Sequence, residues 1–156
     1  MTAPIRVAVD EERVRDVIAT IDDPEYPGVS IVDLGLLEEI EIAGSHVHVG
    51  LVPTFSGCPA LDVIREDVVQ AVTSIDGVSQ VDVRFLAAPV WTPARISEDA
   101  RSALGDRFTV AVEIQGRRVT CPRCGGATSA VAAFGPTRCR SVSRCDDCGE
   151  VVEVIR

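Results

Sequence analysis

Two Cys-x-x-Cys pairs, Cys121-Pro122-Arg123-Cys124 and Cys145-Asp146-Asp147-Cys148, are separated by 20 residues in the last quarter of the chain. Each pair closes a tight turn that aims two thiolates at one point, and the insert is long enough for a hairpin to bring the second turn back to the first. Gly125 and Gly149 follow the turns where the backbone must curl around sulfur. The spacing predicts a tetrahedral zinc site formed by Cys121, Cys124, Cys145 and Cys148, with an iron–sulfur centre or redox dithiols as the alternatives. Zinc bound by four thiolates is coordinatively closed, so the expectation is a structural role.

Short strand-like runs surround these ligands, at 108–114, 117–120, 129–134, 137–144 and 150–155, broken by Gly116, Gly125-Gly126, Gly135-Pro136 and Gly149. That layout predicts an all-β zinc ribbon over residues 107–156. Roughly 50 residues with few aromatics bury too little to fold unaided, so metal ligation is expected to supply much of the folding free energy. Cys139 is expected on a strand rather than as a fifth metal ligand, because the two pairs already complete four.

Residues 1–106 read differently. Val14, Val17, Ile18 and Ile21 recur at helical spacing behind Asp10-Glu11-Glu12, and the helix must stop in Asp22–Gly28, where Pro24, Pro27 and Gly28 fall. Glu39–Ile42 and His46–Val52 alternate around Ala43-Gly44-Ser45 as a hairpin with one apolar face. Leu61, Ile64, Val68, Val72 and Ile75 mark an amphipathic helix begun by Pro59, and Val81, Val83 and Phe85 a third strand. A short helix is expected from Ser97 to Leu104, with Gly105 beyond its end. The fold class is therefore α+β: a small three-stranded sheet with helices packed on one face, followed by the ribbon.

The charge is lopsided. Residues up to Asp106 hold 7 arginines against 19 acids, while the remainder holds 8 arginines against 5, and no lysine occurs anywhere. The acidic first part disfavours nucleic acid as a partner. Apolar runs are only a few residues long and the start, Met1 to Arg6, lacks a leader-like stretch, so the expectation is a cytoplasmic protein with no membrane contact. Reduced thiols are the rule there, which favours metal ligation over disulfides.

One loop in the first part looks chemical: Pro53-Thr54-Phe55-Ser56-Gly57-Cys58-Pro59. Cys58 precedes the strongest helix, whose free amide groups and dipole favour a thiolate. Thr54 and Ser56 add hydroxyl donors, and Gly57 allows close approach of the backbone. A buried cysteine acting as a small hydrophobe is the plainer reading. His46 and His48 share a strand face opposite the valines and could offer two nitrogens to a metal, but the sequence shows no third ligand converging on them. Nor does any ExxH pair suggest a di-iron site. Trp91, between Pro89 and Pro93, is expected to be a packing anchor.

Asp23-Pro24-Glu25-Tyr26-Pro27 followed by Ser30–Gly35, Thr54–Ala60, Trp91-Thr92 and Phe134–Cys139 together resemble the iron–sulfur cluster assembly family, in its zinc-tailed branch associated with phenylacetate degradation. Pro93-Ala94-Arg95 departs from the Thr-Asp-Trp usual in that family. The resemblance implies a non-catalytic accessory role in the phenylacetyl-CoA ring 1,2-epoxidase system, assisting assembly or insertion of iron or iron–sulfur centres. It implies Cys58 as a transient ligand for iron or a cluster, with Asp33, Thr54 and Ser56 shaping its pocket. The implied partners are other epoxidase subunits, especially the iron–sulfur reductase or the di-iron oxygenase, and a homodimer stays open. The competing reading is a zinc-ribbon module that binds protein or nucleic acid and transfers no metal.

Overall fold

The computed structural model describes residues 8–115 and 117–156, so the readings at Met1–Arg6 and at Gly116 lie outside the described residues. The chain divides into two compact units: one runs to Pro53 and resumes at Cys58–Val90, and the other takes Thr54–Gly57 and Trp91–Arg156.

In the first unit, α1 (Glu11–Ile18) begins at Asp10, whose side chain accepts a hydrogen bond from the Arg13 backbone N–H at 2.8 Å. This cap, with Glu11 and Glu12 in the first turn, complements the helix dipole. The helix is shorter than the apolar spacing predicts and ends before Ile21. Within the proline-rich segment expected only to turn, β1 (Asp22–Asp23) and β2 (Tyr26–Ser30) form a small antiparallel hairpin. Its turn is held by side chains: Asp23 accepts from the Glu25 N–H and Asp22 from the Gly28 N–H, both at 2.8 Å.

The three-stranded sheet has the order β3-β4-β5. β3 (Leu37–Ala43) and β4 (His46–Leu51) are antiparallel, and β5 (Gln80–Phe85) lies parallel to β4. A parallel neighbour requires a crossover, which α2 (Ala60–Thr73) provides. Helices α1 and α2 pack on each other and on the sheet. Val47, Val49 and Leu51 from β4 are buried, as are Val14 and Ile18 of α1 and Ile64, Val68 and Val72 of α2. Each such side chain contributes about 1.5–3 kcal/mol by leaving water. The alternate β4 residues, His46 and His48, occupy the other face and remain partly exposed.

The second unit holds α3 (Glu98–Phe108) ahead of a four-stranded sheet. Ser97 caps α3 by accepting from the Ala100 N–H at 3.1 Å. The helix does not stop at Gly105 as expected. It continues to Phe108 and ends on Thr109, which adopts a left-handed conformation at φ 55. Gly105 is buried inside the helix with Pro122 against it. The sheet runs β6 (Val110–Val112), β9 (Val151–Ile155), β8 (Arg140–Cys145), β7 (Thr128–Ala132), with β6 and β9 parallel and the other pairs antiparallel. The expected strand at 117–120 is reduced to a single bridge between Thr120 and Ala127. No helix among the described residues is long and apolar enough to cross a membrane.

Candidate metal centre and thiol site

The two knuckles of the second unit are built alike. In the first, the Gly125 N–H donates to Cys121 O at 2.8 Å, and Gly125 adopts φ 75. In the second, the Gly149 N–H donates to Cys145 O at 3.1 Å, with Gly149 at φ 77. Both turns need a positive φ that glycine adopts without strain. Backbone N–H groups of Arg123, Gly126 and Cys148 point at the sulfurs of Cys121, Cys124 and Cys145, at 3.4, 3.4 and 3.5 Å. These donors offset part of the charge on bound thiolates.

The four sulfurs converge. Cys121 Sγ lies 3.7 Å from Cys148 Sγ and Cys124 Sγ lies 3.5 Å from Cys145 Sγ, and all four fall within 4.8 Å of one another. Tetrahedral ligation with metal–sulfur bonds of about 2.3 Å places sulfurs about 3.8 Å apart, so the cluster fits a metal ion of that kind. Cys121 and Cys145 are buried with Val152 and Val154, so the cluster is continuous with the core of the ribbon. Proton affinity points the same way. The N–H of Cys148, ahead of other causes, holds Cys145 down to about 7. The backbone N–H of Glu150 lowers Cys148 as well, but the neighbouring sulfurs of Cys145, Cys124 and Cys121, with partial desolvation, push it up to about 12. Four thiolates this close need a cation between them.

Cys139 is neither a fifth member of the cluster nor a strand residue. It lies in the turn before β8, with its sulfur 3.0 Å from Thr137 Oγ1.

Cys58 is half-buried, is in no disulfide, and directly precedes Pro59, the cap of α2. The helix cap is Pro59, which makes no side-chain capping bond, so the first turn of α2 receives no side-chain acceptor from its cap residue. Asp33 is exposed on the turn after β2, where its N–H donates to Ser30 Oγ at 3.0 Å and its carboxylate accepts from that hydroxyl at 3.1 Å. Thr54 and Ser56 are exposed and belong to the other compact unit, whereas Cys58 and Asp33 belong to the first. Gly57 admits a close neighbour as expected, and that neighbour is the Phe55 ring: a methyl group on Gly57 would lie 2.8 Å from it.

Comparison with known proteins decides the family. Residues 11–83 match the model of the iron–sulfur cluster assembly protein family, and residues 106–156 match the PaaD zinc beta ribbon domain. Over 85% of this chain and 84% of the relative, the sequence is 32% identical to an Escherichia coli (strain K12) protein named as a candidate component of 1,2-phenylacetyl-CoA epoxidase. The chain belongs to the iron–sulfur cluster assembly family, in its zinc-ribbon branch with phenylacetate-degradation protein D. A Porphyromonas gingivalis relative named Fe-S protein maturation auxiliary factor is 38% identical over 61% of this chain and 90% of its own length. Among solved structures, a Bacillus anthracis domain of unknown function matches with a TM-score of 0.58 at 29% identity, covering 62% of this chain and 92% of that domain. The membership agrees with the α+β sheet and cysteine cluster seen in the fold.

Among the described residues, the group that sequence reasoning left incomplete is the pair His46 and His48. Asp82, from β5, stands beside both. Its signal was the polar residue alternating with Val81 and Val83, but only the register between strands brings it to the histidines.

Proposed function

We propose that the chain is a non-catalytic accessory subunit of the phenylacetyl-CoA ring 1,2-epoxidase system, which passes iron or an iron–sulfur cluster to a metalloprotein partner. The observation that carries this reading is the union, in one chain, of an iron–sulfur assembly unit with a PaaD zinc ribbon. Cys58 is the transient ligand for the cargo. Support for it comes from the half-buried position of the residue and from its place before a helix whose first amide groups favour an anion. Asp33, of the same compact unit as Cys58, serves as an oxygen donor to that cargo.

Zinc is the metal of Cys121, Cys124, Cys145 and Cys148. A closed four-thiolate site supplies no open coordination position, so it braces the ribbon and takes no part in transfer. In this reading residues 1–106 handle cargo and residues 107–156 dock on the iron–sulfur reductase or the di-iron oxygenase; the ribbon-family match from residue 106 onward supports that division.

Replacing Cys58 with serine keeps size and polarity but removes the soft ligand. Iron loading of the co-expressed epoxidase, and its turnover of phenylacetyl-CoA, should fall by about tenfold or more, while ribbon zinc stays in place. Unchanged loading would leave a zinc-ribbon interaction module as the better description.

A further inference from the structure

On the face of the first unit's sheet opposite the buried valines, three metal-ligating side chains meet. His46 and His48 stand two residues apart on β4, which puts their rings on one side, with centroids 4.0 Å apart. Asp82 lies in register with His48 on the parallel neighbour β5. A single carboxylate oxygen, Asp82 Oδ2, is 3.1 Å from His46 Nε2 and 3.5 Å from His48 Nδ1. One ligand atom from each of the three lies within 4.8 Å of the others.

We infer that His46, His48 and Asp82 form a second metal site, for a first-row divalent cation held by two imidazole nitrogens and one carboxylate oxygen. Ligand atoms bound at about 2.1 Å sit about 3.0 Å apart at adjacent octahedral positions and about 3.4 Å apart in a tetrahedron. The 3.1 Å separation lies in that range and the 3.5 Å separation just above it, so small side-chain adjustments suffice to receive an ion. Two nitrogens and one oxygen suit iron(II), zinc or cobalt(II) and disfavour soft copper(I).

The chemistry differs from that of the cysteine cluster. Both imidazoles are 29% exposed and the carboxylate 47%, so all three ligands are open to solvent. Three protein ligands from one side leave coordination positions free for water or a small oxygen-donor ligand, and the ion can exchange. The surrounding charge favours a cation: Glu41 is in register with His48 and Glu39 with Gly50, against the single positive charge of Arg84, also in register with Gly50. The site involves no cysteine and stands whether or not Cys58 carries cargo.

The test uses the full chain with its ribbon first filled with zinc, then titrated with cobalt(II) and followed by calorimetry and absorption. A second equivalent should bind, showing weak ligand-field bands without sulfur-to-cobalt charge transfer. His46→Gln, His48→Gln and Asp82→Asn should each weaken that second equivalent by about tenfold or more, with zinc content and circular dichroism unchanged. Asp82→Asn matters most, since it keeps the shape of the side chain while removing the anionic ligand. Failure of the zinc-filled chain to take a second ion at millimolar cobalt, thiolate charge-transfer bands on the second ion, or an affinity in all three variants equal to that of the unmodified chain would each overturn the assignment.

Discussion

Gly105 and Pro122 are in close contact: a methyl group added to Gly105 would lie 3.3 Å from Pro122 Cβ. A glycine within a helix costs about 1 kcal/mol relative to alanine, and here its bare backbone lets α3 rest on the first cysteine knuckle. Arg123, from the same knuckle, reinforces the contact by donating to Thr109 Oγ1 at 2.7 Å and to Asp106 O at 3.4 Å.

Gly105→Val should therefore loosen the knuckle as well as the helix. Overpacking of this kind costs about 1–3 kcal/mol. We expect a lower melting temperature and faster zinc release to a chromophoric chelator; a rate equal to that of the unmodified chain would show that the helix does not brace the metal turn.

Removing a buried sulfur should unfold the ribbon. Cys145 is 2% exposed and shares a core with Val152 and Val154, so Cys145→Ser takes away a ligand and leaves a polar group among apolar neighbours. Amide exchange should become fast throughout residues 120–155, and a strong chelator should reproduce the effect on the unmodified chain. Retained protection in that segment would mean that its apolar contacts suffice.

Metal affinity should fall as the solution becomes more acidic. Crowding by its sulfur neighbours keeps Cys148 protonated up to about 12, so a metal must displace that proton at any ordinary pH. This group alone accounts for about one decade of affinity per pH unit between about pH 6 and 8. Cys145, held down to about 7, adds to the slope only below neutrality, where it too carries a proton. Zinc competition with a chelator of known affinity across that range measures the slope, and a flat profile would contradict it.

Features set by local pattern were legible in the sequence. The apolar residues of α2 and of the turn that follows it recur at helical spacing, and four of the five expected, Ile64, Val68, Val72 and, just past the helix, Ile75, are buried. The paired cysteines announced their own turns because two ligands three residues apart need a tight loop with a glycine after it. Features that depend on distant neighbours were hidden. Gly105 looked like a helix stop because nothing near it in sequence reveals Pro122. The partner of His46 and His48 lies more than 30 residues away and reaches them only through the parallel register that α2 sets between β4 and β5. Pro24 and Pro27 obscured the β1–β2 hairpin, whose turn is stabilised by the carboxylates of Asp22 and Asp23 rather than by an apolar pattern.

The position of β9 imposes an order on biosynthesis. Residues 151–155 lie between β6 and β8 and bond to both, so the sheet has no centre until they have left the ribosome. All four cluster thiols precede that segment, so both cysteine turns are available to a metal before the sheet that carries them is complete.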